Sequence, residues 1–108
     1  MKTSEILIKA RDLIADPKRW TQKASARDAQ GTRKNAFADT ATCWCSDGAL
    51  VRVSNQPADP SKYSRAGAAL REAAGGHSYV VEFNDTHTHA EVMTMFATAI
   101  ATARARGD

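Results

Sequence analysis

Alanine supplies much of the apolar character of this chain, and that limits what the chain can fold into. Of its 108 residues 21 are Ala, whereas Ile, Leu, Val and Phe together number only 16. Alanine is the best helix former but buries little surface, so the sequence predicts helices packed closely around a thin core. A length of 108 residues suits one compact domain, and we expect a single helical domain over residues 1–108.

Positive and negative charges are nearly balanced over the whole chain. The formal net charge is +3 with 25% charged residues, which differs from the high net charge of disordered proteins. No apolar run approaches the roughly 20 residues that a membrane-spanning helix needs. The N-terminal stretch MKTSEILIKARD is charged where a secretory signal needs apolar residues. We therefore expect a soluble, cytoplasmic protein with no membrane partner.

Hydrophobic periodicity predicts four helices and hence an all-α fold. Residues 78–83, SYVVEF, are the only segment with β character. If they pair with residues 50–53, a short two-stranded ribbon forms and the fold is α+β instead. Otherwise they pair with another chain or form an extended connection. The four predicted helices cover about residues 4–15, 35–51, 61–74 and 88–104.

Within the second predicted helix, Phe37, Trp44, Gly48 and Val51 fall on one narrow arc at about 100° per residue. We expect Trp44 to pack across the centre of the domain against the first and last helices. A glycine inside a helix costs about 1 kcal/mol relative to alanine. Gly48 therefore indicates close approach of another helix or of the Trp20 ring.

Residues 18–34 form a long connection with an unusually positive charge, because the segment contains six basic residues and a single acidic one, Asp28. Lys and Arg contact phosphates and an aromatic face stacks on a base, so one hypothesis is nucleic-acid binding through this segment. The alternatives are a solvated loop, in which Trp20 only closes the core, and an acidic protein partner. The residues of the nucleic-acid hypothesis are Lys18, Arg19, Trp20, Lys23, Arg27, Arg33 and Lys34.

Residues 84–89, NDTHTH, form the densest polar cluster of the sequence. Asp85, His87, His89 and Glu91 carry metal-ligating side chains, and His87 and Glu91 would share a helix face if the helix began early. Asn, Asp and Thr also turn a chain and cap a helix, and Thr88 with Glu91 forms a capping-box pattern. We favour capping over a metal-dependent site.

The cysteines do not form a recognised metal or catalytic pattern. Cys43 and Cys45 are spaced as C-x-C rather than the C-x2-C of structural zinc sites, so we expect Cys45 in the core and Cys43 partly exposed. His77 lies too far along the chain to be assigned as the base of either thiol. We predict no cofactor and favour a protein that is not an enzyme.

The last predicted helix carries no charge over residues 92–103. A small domain buries one stripe of such a helix, and the neutral surface that remains allows a second helix to approach closely. We expect a twofold homodimer through residues 92–103 with Met93 and Ala97 near its axis. The alternative is that the threonines of this helix face water.

Several short patterns resemble those of a family of small bacterial and phage domains of unknown function, over about residues 5–105. That resemblance implies a single helical domain and carries no activity. The function that best fits these observations is a small interaction or regulatory module that acts by binding. The patterns are Trp20 with Ala26, Asp28 and Gly31, then Trp44-Cys45 and Gly48-Ala49-Leu50, then Asn84-Asp85-Thr86.

Overall fold

The computed structural model describes residues 1–54, 64–76 and 79–108. These residues form a mixed α+β fold that is mostly helical, so the predicted helical character is confirmed and the all-α arrangement of four helices is not. The helices are α1 (Thr3–Leu13), α2 (Ser46–Ser54), α3 (Arg65–Ala73), α4 (Val80–Thr86) and α5 (His89–Ala105). A 3-10 turn covers Pro17–Arg19, and the strands are β1 (Ala26–Arg27), β2 (Arg33–Lys34) and β3 (Cys43–Trp44).

The first and last helices lie where periodicity predicts them. α1 packs on α2 and α5, and α3 packs on the other part of α5. Leu7 in the middle of α1, Ile14 just after its end and Phe96 in the middle of α5 are fully buried. The capping box of α5 is also present, with Thr88 and Glu91 each accepting a hydrogen bond from the backbone of the other. Among the described residues, no helix has both the length and the hydropathy that crossing a bilayer demands.

The predicted second helix is wrong over its first half. Asn35 does not cap a helix, because its side-chain Oδ1 accepts a hydrogen bond from the Phe37 N–H and closes a turn. β3 follows, and α2 begins only at Ser46. Phe37, Trp44 and Val51 therefore lie in a loop, a strand and a helix, and the helical arc that joined them does not exist.

Trp44 is nevertheless buried as expected, with 3% of its surface exposed. Its indole N–H donates a hydrogen bond to the Ala36 carbonyl oxygen at 3.0 Å. The guanidinium groups of Arg19 and Arg52 lie 5.6 and 5.5 Å from the Trp44 ring centroid. Strand β3 contacts β1, the 3-10 turn and α2. Trp44 thus anchors the sheet beside α2, in the same core cluster as the large side chains of α1 and α5.

The predicted ribbon of residues 50–53 and 78–83 does not form. Residues 50–53 belong to α2, and residues 80–83 open α4. Val80 and Asn84 are buried one helical turn apart while Val81 is exposed, which is a helical burial pattern rather than a strand pattern. The start of the predicted third helix at residues 61–63, together with His77 and Ser78, lies outside the described residues; Ser64 caps α3 by accepting from the Gly67 N–H.

Two strands of the sheet, β1 and β2, come from the segment predicted to be a connection, and β3 comes from the predicted second helix. The strand order of the sheet is β2-β1-β3 with antiparallel pairing, so Ala26 lies between Lys34 and Trp44. The β1–β2 turn is closed by Asp28, whose Oδ1 accepts from two backbone N–H groups, and by Gly31, which has a φ of +82°. Strands of two residues carry no readable hydrophobic period, which is why periodicity missed them.

Gly48 is required by a backbone contact. A Cβ at this position would overlap with the carbonyl oxygen of Ser25. That oxygen also accepts a hydrogen bond from the Cys45 N–H at 3.2 Å. The close approach predicted at Gly48 is real, but the partner is the backbone that leads into β1 rather than another helix or the Trp20 ring.

The uncharged face of α5 is only partly exposed to solvent. Met93 is partly buried and packs against the core, so it does not lie on an exposed interface as predicted. Ala97, Thr94 and Thr98 are exposed, whereas Thr102 is half-buried. Self-association through this helix stays a prediction.

Candidate functional site

The segment of residues 18–34 is called here the basic loop. A buried asparagine joins this loop to two helices. Asn84 lies in α4 and is fully buried. Its Oδ1 accepts from the Trp20 indole N–H at 2.7 Å and from the hydroxyl and backbone N–H of Ser46 at 2.7 and 3.0 Å. Its Nδ2 donates to the Thr21 carbonyl oxygen at 3.0 Å and to Asp85 Oδ1 at 3.2 Å. Because both ends of the amide are used, its orientation is fixed.

Further bonds hold the first part of the basic loop against α4. The Gln22 side-chain amide donates to the carbonyl oxygens of Asn84 and His87 at 3.0 and 2.9 Å. The Lys23 N–H donates to Asp85 Oδ1 at 2.8 Å. Among the described residues Lys23 alone is a non-glycine residue with a positive φ, of 65°. A strained backbone of this kind persists only where its surroundings impose it.

Three of the predicted nucleic-acid-binding residues have internal roles. Arg27 donates to Thr21 Oγ1 and to the carbonyl oxygens of Gln22 and Gly31, which closes the loop on itself. Lys34 pairs with Asp28 at 3.9 Å. Trp20 bonds to Asn84 and meets the His89 ring edge to face, 5.5 Å between centroids. The Trp20 ring is therefore built into the fold, as the core-closing alternative expected.

The remaining four predicted residues are exposed cations. In the part of the chain that the structure describes, none of them forms an ion pair. They lie along a loop whose backbone is fixed by the bonds to Asn84 and Asp85. These residues are Lys18, Arg19, Lys23 and Arg33.

The four residues of the metal hypothesis are not brought together. His87 Nδ1 donates to the Phe83 carbonyl oxygen at 2.9 Å and its ring stacks on Phe83 with centroids 3.7 Å apart. His89 Nε2 donates to the Ile14 carbonyl oxygen at 2.8 Å, on the side of α1. Over the described ranges, no three His, Cys, Asp or Glu side chains are placed to hold one metal ion.

Asp85 and Glu91 have structural partners too. Asp85 fixes Lys23, as described above. Glu91 Oε1 accepts from the Thr88 N–H at 2.9 Å, and this bond, with that to the Thr88 hydroxyl, holds the pKa of the Glu91 carboxyl below its usual value. The capping part of the prediction is confirmed at Thr88 and Glu91. Residues 84–86 belong to α4 rather than to a turn.

A cleft of about 430 Å³ opens between the basic loop, the start of α2 and α4. Burial raises the pKa of the Cys45 thiol in its wall to about 11, so this thiol is neutral at pH 7. Its sulfur accepts a hydrogen bond from the Gly48 N–H at 3.2 Å. The cleft is lined by Lys23, Ala24, Ser25, Arg33, Cys45, Asp47, Val81 and Asp85.

Sequence reasoning found only part of this cleft. Lys23, Arg33 and Asp85 were singled out, although in two separate hypotheses. Asp47 and Val81 were missed, because neither belongs to a motif and only the packing of α2 against α4 brings them to the loop. The family resemblance includes Gly48 and Asn84, which lie close in sequence to Asp47 and Val81. This is the one sequence feature that pointed to these two cleft residues.

Comparison with known protein families gives a match over most of the chain. A family model described as a family of unknown function, DUF6197, matches residues 1–102. The predicted resemblance to a family of unknown function is thereby confirmed. Neither the comparison with curated proteins nor that with solved structures gave a match.

Proposed function

The chain belongs to DUF6197, a family of unknown function, and we propose that it is a binding module whose basic loop contacts the phosphate backbone of nucleic acid. The observation that carries this proposal is a set of four exposed cations that form no ion pair with the described residues, on a loop of fixed backbone. Each such cation gains an anionic partner, and releases counterions from the polyanion, when it meets a phosphate.

The fixed loop makes this binding less costly. Binding usually loses free energy when a mobile loop becomes ordered. Here the Asn84 amide, the Gln22 amide and the Asp85 carboxylate already hold the loop before any partner arrives. Arg27 is used inside the loop and sustains its shape. The cations are therefore presented by a preformed surface.

Recognition of this kind is independent of base sequence. Trp20 was the candidate for stacking on a base, and its indole is instead bonded to Asn84 and packed against His89. Phosphate contacts position a protein on a duplex and carry no sequence information directly. We expect similar affinity for duplexes of unrelated sequence.

Fluorescence anisotropy with a labelled short duplex tests the proposal through its salt dependence. Four phosphate contacts predict a slope of about −3.6 in a plot of log K against log salt, or roughly 150-fold weaker binding at 200 mM than at 50 mM. The double variant Lys18→Glu, Arg19→Glu should reduce the slope by about 1.8. Both changes lie outside the cleft.

Arg104→Glu is the matched control. Arg104 is exposed in the last turn of α5, about 22 Å along the helix from His89 and the basic loop. It should leave the slope unchanged. Three outcomes contradict the proposal: no binding at low salt, an equal effect of the control, or preference for an acidic polypeptide over the duplex.

A further inference from the structure

We infer that Asp85 is a positioning residue for Lys23, and that this acid therefore strengthens the binding of nucleic acid to the basic loop. The inference rests on the proposed function and extends it to a residue of the opposite charge. A carboxylate beside a cationic surface is expected to repel a phosphate backbone. The backbone geometry of Lys23 gives Asp85 the opposite effect.

Lys23 stands at a bend of the loop where glycine would be the unstrained residue. Its φ of 65° lies in the left-handed region, which residues with a Cβ disfavour and glycine adopts freely. Strain of this kind points to a role for the residue that bears it. The Lys23 side chain is exposed and forms no ion pair with the described residues, so its ammonium is the group that we assign to that role.

Asp85 holds the backbone of Lys23 without neutralising its side chain. The Lys23 N–H donates to Asp85 Oδ1 at 2.8 Å, and Asn84 Nδ2 donates to the same oxygen at 3.2 Å. Within the described ranges, no ion pair joins Asp85 to Lys23 or to another cation. One oxygen of the carboxylate thus fixes the bend, and the Lys23 charge stays free to meet a phosphate.

The bend is the part of the loop that depends on Asp85. On its N-terminal side the Thr21 carbonyl oxygen accepts from Asn84 Nδ2 at 3.0 Å. On its C-terminal side the Ser25 carbonyl oxygen accepts from the Cys45 N–H at 3.2 Å. Neither bond involves Asp85, so loss of the Asp85 side chain releases the bend and leaves both flanks in place.

Two substitutions of Asp85 test the inference by the sign of their effects. Asp85→Asn removes the charge and keeps an oxygen that accepts from Lys23 and Asn84. Asp85→Ala removes the same charge together with the acceptor. If Asp85 only repelled phosphate, both variants would bind a duplex more tightly, and to the same extent.

We expect opposite effects when the labelled duplex is titrated by fluorescence anisotropy. Asp85→Asn should bind up to about threefold more tightly, because a repulsive charge is removed and the bend is kept. Asp85→Ala should bind about tenfold more weakly at low salt, because the Lys23 contact is lost. The magnitude of its salt slope should fall by about 0.9, which corresponds to one phosphate contact.

Lys23→Gly tests the strain itself. Glycine relaxes the left-handed backbone and removes the ammonium. The midpoint of thermal unfolding should therefore rise by about 4 °C, while the magnitude of the salt slope falls by about 0.9. A midpoint that falls, or a slope that keeps its value, overturns the role assigned to Lys23.

Limited digestion with trypsin examines the bend without nucleic acid. Trypsin cleaves after Lys23 when the bend opens, so the cleavage rate reports how often the loop is open. Asp85→Ala should be cut there about tenfold faster than Asp85→Asn and the unmodified protein. Cleavage after Arg104, in the last turn of α5, is the internal control and should proceed at one rate in all three proteins.

The results separate this inference from the nucleic-acid proposal. Duplex binding that tightens equally in both Asp85 variants overturns the inference and leaves the proposed function standing. If the unmodified protein binds no duplex, the proposed function fails and with it the benefit to binding; the trypsin rates then decide whether Asp85 positions Lys23, and equal rates in both variants overturn that too. Circular dichroism establishes that each variant is folded. If Asp85→Ala does not fold, the slope and the midpoint of Lys23→Gly decide instead.

Discussion

The pair of helices α1 and α5 and the basic loop are held in place by different forces. Leu7, Ile14 and Phe96 are fully buried where the helices pack, so this region is stabilised by apolar burial. The loop contributes few large apolar groups and is fixed by hydrogen bonds that converge on Asn84. Because this chain has few bulky apolar side chains to bury, one buried amide orders a segment whose core contacts include Ala26 and Trp20.

This contrast between the helix pair and the basic loop predicts a large effect for one polar substitution. It should lower the stability of the protein more than most substitutions of apolar residues do. Asn84→Asp replaces the Nδ2 donor with an oxygen that faces the Thr21 carbonyl and the Asp85 carboxylate. A buried charge without compensation costs about 3 to 5 kcal/mol. We expect a loss of about 4 kcal/mol in the free energy of unfolding, measured by urea denaturation.

Asn35→Asp is the matched control for this change. Among the described residues, the exposed Asn35 side chain has one hydrogen-bond partner, the Phe37 N–H, from which it accepts. Aspartate accepts the same bond, so stability should change by less than about 0.5 kcal/mol. If both variants lose the same stability, the loop does not depend on the donor side of Asn84.

The second prediction concerns the contact between α2 and the backbone of the loop. Gly48→Ala places a methyl group against the Ser25 carbonyl oxygen, so one of the two backbone segments must shift. Overpacking of this kind costs about 1 to 3 kcal/mol, and contact with backbone favours the upper end. Thermal unfolding should show a loss of about 3 kcal/mol.

Gly76→Ala separates this steric effect from backbone strain. A Cβ at Gly76 has open space around it, but its φ of +76° disfavours any other residue. The expected cost is about 1 to 2 kcal/mol. A Gly48 variant that is no less stable than the Gly76 variant would show that the loop can shift away from α2.

The same contrast explains what could be predicted from the sequence. α1 and α5 were predicted nearly to their ends, because apolar burial leaves a period of 3.6 residues in the sequence. The strands around Ala26, Lys34 and Trp44 were not, because each is two residues long and too short to show a hydrophobic period. Residues 78–83 have β character, which left a ribbon, pairing with another chain or an extended connection open, whereas residues 80–83 are helical because tertiary packing overrides that preference.

The candidate site was predictable only in pieces. The charge of the basic loop identified Lys23 and Arg33, and the polar cluster identified Asp85. Their meeting in one cleft depends on the bonds of Asn84, which no local pattern encodes. Asp47 acquires its place only when α2 packs against the loop.

The third prediction tests the helical region, where each interaction is local and its effect smaller. Thr88→Ala removes the hydroxyl that caps α5 through the Glu91 N–H, and should cost about 1 kcal/mol. Glu91 adds a pH dependence. Because the pKa of Glu91 is lowered in the folded state, the contribution of its carboxylate to stability is present above the unfolded pKa of about 4.3.

That contribution disappears as the pH falls through the folded pKa of Glu91. Urea midpoints measured against pH should therefore separate the unmodified protein from Glu91→Gln at neutral pH and converge in acid. A separation that persists below the folded pKa would mean that the glutamate acts by something other than its charge.

The smallest effect on stability is expected on the exposed face of α5. Ala97 is exposed between the exposed Thr94 and Thr98, so Ala97→Glu should change the free energy of unfolding by less than about 0.5 kcal/mol. The same substitution has a large effect on self-association if two copies of α5 meet there, because it places two unpaired carboxylates at a twofold contact. We expect sedimentation to show a dimer of the unmodified protein at high micromolar concentration and a folded monomer for Ala97→Glu. Since Met93 packs against the core, such a contact centres on Ala97 alone. A monomer for the unmodified protein removes the dimer hypothesis and leaves the face of α5 to water.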